Sequence, residues 1–352
     1  MAGEAVNTSQ EMPDKPWRLD GQYPMPADYA EAKAVQKWAD ASMYRAEPMP
    51  AGGRITVKVV SATADPLGVL AALCGMYVGR VTRSLSDVTD EQRRKALEDM
   101  LATELNGPLS AVQFVFLVEN VDRSFTHQAV RQQQAFFAQE SLRFAVKEDW
   151  TEDIPLPPHL AGLAEDDPKV RIWRKTLVGV EDAYAALVHA GMPAEEARGL
   201  LPEAILTRYY WVTNLKGLLI EAGKRTCTQA QFHWRRFFAE VASALREYGR
   251  QDGNYWYTNG NGFASQHVGW QYELIAEQLR PHCYQAGSCG FMAKFDRGCT
   301  IRERVEQNAK AGRPSNVWHY AMPCHDACDH PETVIDAIDP REWAADPGAA
   351  RS

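Results

Sequence analysis

Two periodicities run along this chain, and the switches between them mark its elements. Residues 54–62 (RITVKVVSA) alternate apolar and polar and are rich in β-branched side chains, which predicts a strand. Asp65-Pro66 then opens a helix, LGVLAALCGMYVGR, with proline at an early position where its missing N–H costs nothing. Ser61 stands at that strand-to-helix junction. Residues 90–104 have amphipathic helical spacing, and 112–118 (VQFVFLV) read as a second strand. Asp122 stands where an N-cap belongs. Phe125, Ala129 and Val130 share one stripe of the helix that follows, which leaves His127, Gln128, Arg131 and Gln132 on its other faces. Residues 140–144 alternate again, so an extended chain there points Ser141 and Arg143 the same way.

The second half repeats the theme. Residues 150–167 form a Pro-rich, acidic loop, long enough to suggest a surface excursion or lid. Residues 170–190 are helical, Met192-Pro193 opens the short run PAEEARGLLP, and 205–213 (ILTRYYWVT) alternate as a strand. Helices follow at 214–225 and 229–248. Short strands with helices in separate runs favour an α+β fold over a doubly wound sheet. Composition then changes at both ends. Residues 1–53 read as an N-terminal extension with one helical stretch at 27–44, residues 54–250 as the core, and 251–352 as a cysteine-containing appendage with an expected helix at 264–279.

Charge and cysteine usage narrow the possibilities. A net charge of −8, from 46 acidic against 38 basic residues, argues against nucleic acid as a bulk partner while leaving room for a local basic pocket. The longest apolar run, 67–78, is too short to cross a bilayer, and the N-terminal residues carry no apolar signal core, so no membrane partner is expected. Seven scattered cysteines, an odd number, read as reduced thiols in a cytoplasm. Cys283, Cys289, Cys299, Cys324 and Cys328, with His282, His325 and His330 nearby, include no tight CxxC pair. Ordinary thiols are therefore expected, and no metal.

The chemistry concentrates in 118–144, VENVDRSFTHQAVRQQQAFFAQESLRF. Gln128 and Arg131 are three apart on a helix and can reach one ligand together. A hydroxyl and a guanidinium at Ser141 and Arg143 suit phosphate oxygens. This stretch resembles the signature of the flavin-dependent thymidylate synthases (ThyX), RHRxxSxNExSxRY. Arg131, Ser141 and Arg143 match it; Gln132, Gln133, Phe136, Ala138, Gln139 and Phe144 depart from it. A second stretch, 184–231, is similar to the same family at Arg198, Leu201-Pro202, Asn214, Arg225, Cys227 and Ala230-Gln231.

The resemblance implies a dUMP site at Gln128, Ser141, Arg143, Arg198 and Arg225, with Arg225 polarising the uracil so that C5 becomes nucleophilic. It implies FAD contacts at Ser61, Arg131, Gln132, Gln133, Gln139, Asn214, Lys216, Ile220 and Gln229. The implied reaction is methylation of dUMP to dTMP with methylenetetrahydrofolate and NADPH, in a homotetramer. Amides in place of charged flavin contacts cannot supply positive charge or titrate near neutral pH. Weaker flavin binding, or a flavin with altered redox behaviour, is therefore expected. C5 hydroxymethylation, action on another uridine nucleotide, or a non-catalytic nucleotide-binding homologue remain alternatives. Cys227 is expected to pack rather than react.

Overall fold

The computed structural model describes residues 44–45, 49–50, 53–227, 230–251 and 269–282. A two-residue strand β1 (Tyr44–Arg45) comes first, then β2 (Thr56–Ala62). Helix α1 (Pro66–Tyr77) begins at Asp65, whose carboxylate caps the Gly68 N–H. Helix α2 (Asp90–Ala102) opens on a reciprocal Thr89–Gln92 capping box. Strand β3 (Gln113–Asp122) runs directly into α3 (Arg123–Ala129). Then follow β4 (Ala135–Gln139), β5 (Ala145–Val146), α4 (Pro158–Ala161), α5 (Pro168–His189) and α6 (Ala194–Ala197). Strand β6 (Leu206–Asn214) leads into α7 (Leu215–Arg225), and α8 (Phe232–Arg250) and α9 (Trp270–Glu277) complete the described residues.

Four strands make an antiparallel sheet in the order β2-β3-β6-β4, and β1 pairs in parallel with β5. Helices pack on this small sheet, as the α+β expectation required. The alternation of β3 and β6 decides which face is covered. Phe114, Phe116, Val118, Tyr209 and Trp211 are buried on one side. Helix α8 brings Trp234, Phe237 and Phe238 against them, with the Phe116 and Trp211 rings 5.2 Å apart and Trp211 and Phe237 5.4 Å apart. Each such ring contributes roughly 1.5–3 kcal/mol by leaving water. The opposite face leaves Val60, Phe136 and Tyr210 exposed.

Strand β3 runs four residues past its expected end because it contains a bulge between Val118 and Val121. Asn120 takes the extra position at φ 59°, a left-handed conformation that asparagine tolerates better than most residues. Its amide donates to the carbonyls of Pro50 and Arg54, both at 2.8 Å. Beyond the bulge, pairing resumes and delivers Asp122 to the start of α3.

Three sequence expectations are corrected. Ser141 and Arg143 lie in a turn, not an extended segment; the strand sits earlier, at β4, because Phe137 and Gln139 pair with Trp211 and Tyr209 of β6. The loop at 150–167 is a surface excursion only from residue 155 onward, where no described side chain is buried; its start is anchored. Trp150, Thr151 and Ile154 are buried; Glu181 of α5 accepts from Trp150 N, Thr151 N and Thr151 Oγ1, and Arg174 donates to the Ile154 carbonyl. With Leu142, Leu177, Ile205 and Leu206 these residues make a small second core beneath the Ser141–Arg143 turn. Finally, α9 falls in the stretch expected as an appendage, yet Tyr272, Ile275, Ala276 and Leu279 belong to the main core. Of the expected helix at 27–44 only Tyr44 is described, and it lies in β1; the rest of that stretch and the cysteines from 283 onward lie outside the described residues. No helix among the described residues is long and apolar enough to cross a membrane, and none of their side chains form a metal-holding cluster.

Candidate functional site

The bulge in β3 fixes where α3 starts, and α3 positions two groups of polar side chains. Asp122 Oδ1 caps the helix, accepting from Phe125 N at 2.6 Å and from Ser124 Oγ at 2.7 Å. Arg123 and Gln128 then stand near opposite ends of this helix, about 7.5 Å apart along its axis.

At the Gln128 end, the side chains of three helices converge. Arg225 is the last residue of α7, where a cation interacts favourably with the helix dipole. Its NH1 donates to Gln128 Oε1 at 3.4 Å, its Nε meets Glu221 Oε2 at 3.5 Å, and its guanidinium lies 4.5 Å over the Trp234 ring. Trp234 Nε1 donates to the same Gln128 oxygen at 2.8 Å, and Gln128 Nε2 donates to Gln231 Oε1 at 2.6 Å. Gln231 contacts His233 Nδ1 at 3.1 Å. Two residues 97 apart in sequence thus share one polar junction on an apolar floor. The stretch Trp234–Phe237 reads in sequence only as core plus a solvated face. Trp234 is indeed buried, but its indole N–H also belongs to this junction. The usable signal was its position three residues beyond Gln231 at the start of a helix.

At the Arg123 end the arrangement is looser. Arg143 pairs with Glu195 at 2.9 Å and lies over the Phe144 ring, while Arg198 Nε donates to the Glu195 carbonyl at 3.0 Å. Glu195 therefore joins two of the arginines that the resemblance assigns to the dUMP site. Ser141 Oγ accepts from Arg143 N at 3.4 Å. Burial, and next the nearby charge of Arg198, lower the pKa of the Arg123 guanidinium, and Glu140 partly offsets both. Arg123 is thus a third cation of this group, and sequence reasoning passed over it. The turn is clamped from beneath: Lys147 Nζ pairs with Glu140 Oε2 at 2.5 Å, and Glu140 N donates to the Arg208 carbonyl. Burial drives the Lys147 ammonium below its ordinary pKa despite that partner.

The residues implied for FAD divide into two kinds. Ser61, Arg131 and Gln133 are exposed and Lys216 half-buried, and their side chains make no hydrogen bond or ion pair among the described residues. Gln132, Gln139 and Asn214 are engaged in the protein. Gln132 is buried and accepts from Trp211 Nε1 at 3.1 Å. Gln139 Nε2 reaches Thr126 Oγ1 at 3.2 Å and Thr207 Oγ1 at 3.4 Å. Asn214 caps α7 by accepting from Gly217 N at 2.9 Å. Ile220 is exposed, and Gln229 lies outside the described residues. Cys227 is half-buried, and its carbonyl accepts from Ala230 N and Arg235. The set fits a flavin in part: two cations and two exposed polar side chains remain available to one.

Comparison with known proteins bears on this arrangement. Residues 58–248, more than half of the chain, match the family model described as thymidylate synthase complementing protein. The chain is 27% identical over 255 residues to the flavin-dependent thymidylate synthase of Pyrococcus furiosus, covering 71% of this chain and 95% of that one. It is 28% identical over 199 residues to the enzyme of the same name from Geobacter sulfurreducens, covering 54% and 82%. A solved structure of a UMP/dUMP methylase from Streptomyces cacaoi, bound with 5-Br dUMP, aligns with a TM-score of 0.42 at 20% identity, over 55% of this chain and 88% of that one.

Proposed function

This chain belongs to the thymidylate synthase complementing protein family, and on that premise we propose that it methylates C5 of dUMP to give dTMP, with methylenetetrahydrofolate as carbon donor and FAD and NADPH as reductants. The observation that carries this reading is the contact of Arg225 with Gln128, which unites the two stretches that resemble the family. Arg225 is a fixed cation beside an aromatic floor. Held against a uracil carbonyl, it stabilises the charge that develops there as C5 becomes nucleophilic. Such a donor is worth about 3–4 kcal/mol in a dry site. Gln128 keeps one amide N–H beyond the one given to Gln231, and that N–H can reach the edge of the base.

Ser141, Arg143 and Arg198 hold the phosphate, with Arg123 adding charge. Glu195, exposed and monodentate, gives Arg143 up when a dianion arrives. Arg131, Lys216, Ser61 and Gln133 hold the flavin, which when bound supplies the reducing equivalents that complete the methyl group. The open face of the sheet, with Val60, Phe136 and Tyr210 exposed, suits contact between copies in a homotetramer. We place the enzyme in the cytoplasm. Incubation with dUMP, methylenetetrahydrofolate, FAD and NADPH is expected to yield dTMP; no turnover by folded protein would contradict the reading.

A second reading is favoured by the engagement of Gln132, Gln139 and Asn214 with protein partners. It describes a uridine-nucleotide site whose flavin is held weakly, with a hydroxymethylated product, another uridine nucleotide as substrate, or no turnover at all. The visible absorption spectrum with and without added FAD separates the two, and product mass separates methyl from hydroxymethyl.

A further inference from the structure

The polar junction at Gln128 has a direction, and the direction can be worked out from donor chemistry. Trp234 Nε1–H and the Arg225 guanidinium can only donate. Both meet Gln128, at 2.8 and 3.4 Å, so that amide must turn its oxygen toward them. Its NH2 then faces Gln231, which must answer with its own oxygen, at 2.6 Å. This leaves the Gln231 NH2 against His233 Nδ1 at 3.1 Å. That ring nitrogen therefore has to be the bare acceptor, with the proton on Nε2.

We propose that neutral His233 is a positioning residue for the nucleotide site: as the terminal acceptor it sets the orientation of the Gln231 and Gln128 amides, and through them the placement of Arg225. Its consequence for ligand binding rests on the nucleotide reading above; the relay itself does not. Protonation at Nδ1 would set two donors face to face. Turning Gln231 over passes the conflict to Gln128, and turning Gln128 over passes it to Trp234 and Arg225. No arrangement of the two amides removes it.

The charged groups around His233 oppose one another. Asp122 Oδ2, from the end of β3, lies 3.7 Å from Nδ1 and favours the cation. Arg236, on α8 itself, opposes it, and Arg225 of α7 lies beyond the two amides. Burial is the largest influence, and it moves the imidazole pKa below its ordinary value. The neutral form is therefore the one the fold favours. The relay is intact above the folded-state value and is lost as pH falls through it.

Two measurements on the full chain test this. Long-range 1H–15N spectra of 15N-histidine-labelled protein without nucleotide at pH 7.5, with His233 assigned by its absence in His233→Asn, should show Nε2 protonated and Nδ1 bare. A proton on Nδ1 at that pH would overturn the relay. Calorimetry with dUMP at pH 8, where a phosphate monoester is dianionic, then compares wild type, His233→Asn and His233→Leu. The asparagine oxygen can replace the Nδ1 acceptor; leucine cannot. His233→Leu should bind about ten-fold more weakly, with most of that recovered in His233→Asn. Equal affinity in the two variants, with wild type binding dUMP, overturns the positioning role alone. Failure of wild type to bind dUMP overturns the nucleotide reading and the role together, and the tautomer result still decides the relay.

Discussion

Arg93 and Arg143 each meet a carboxylate at nearly the same distance, 2.7 Å to Asp65 and 2.9 Å to Glu195, in opposite surroundings. The Arg93–Asp65 pair is fully buried, and every guanidinium N–H is occupied. Arg93 reaches Asp65 through both Nε and NH2 and also donates to the carbonyls of Leu85 and Val88. Asp65 further accepts from Gly68 N and from Gln271 Nε2. The Arg143–Glu195 pair is about half exposed at each end, 47% and 51%, with one contact. Distance alone does not separate a pair locked into the core from one held loosely at the surface. Burial and the number of satisfied partners do.

The largest effect is expected at the buried pair. Arg93→Met leaves the Asp65 charge uncompensated and should cost about 3–5 kcal/mol in urea unfolding; a loss below about 1 kcal/mol would place the pair with the surface ones. Arg225→Ala comes next. Its guanidinium is only a quarter exposed and contacts Glu221, Gln128 and the Trp234 ring. Turnover of dUMP should fall on the order of 10²–10³-fold, with unfolding less affected.

Arg143→Ala should leave unfolding within about 0.5 kcal/mol, while dUMP affinity falls about ten-fold or more through loss of a charged hydrogen bond. Affinity unchanged in this variant would break the comparison at its functional end. Glu195→Gln removes the competitor for Arg143, so dUMP affinity should rise, by no more than about five-fold given what exposed pairs are worth.

The smallest effect concerns Arg54–Glu240, a pair of intermediate exposure. Burial of Glu240 outweighs the Arg54 charge and holds its carboxyl above the ordinary range. A raised folded-state value means that its contribution to stability is present below the unfolded pKa and is lost as pH rises through the folded one. The stability of wild type relative to Glu240→Gln should therefore decline between pH 4 and pH 8 in parallel urea titrations.

Local signals carried well from sequence to structure. The Asp122 cap, the start of α1 at Asp65-Pro66 and the alternation of β6 depend on neighbours within a few residues, and all three occur. What failed depended on distant pairing. Residues 140–144 alternate convincingly, but β6 has only one free edge, and 135–139 take it. Leu142 then finds its burial in the second core, which bends Ser141 and Arg143 into a turn. The family resemblance brought forward Gln128 and Arg225, but not Trp234 or His233, because an aromatic residue on a helix stripe looks the same whether or not its N–H has work to do. Nor could Gln132 be separated from Gln133 by residue type: one amide is buried against Trp211 and the other is exposed.

Gln271 meets Asp65 across 206 residues and Leu67 N across 204. At about 5–20 residues per second, a ribosome takes roughly 10–40 s to supply the later partner after the earlier ones have emerged. Throughout that interval the nascent chain lacks the amide that completes α1 and its buried carboxylate. A message terminated between codons 251 and 270 would therefore release a polypeptide containing every residue of the Gln128–Arg225 junction but unable to close the core that supports it.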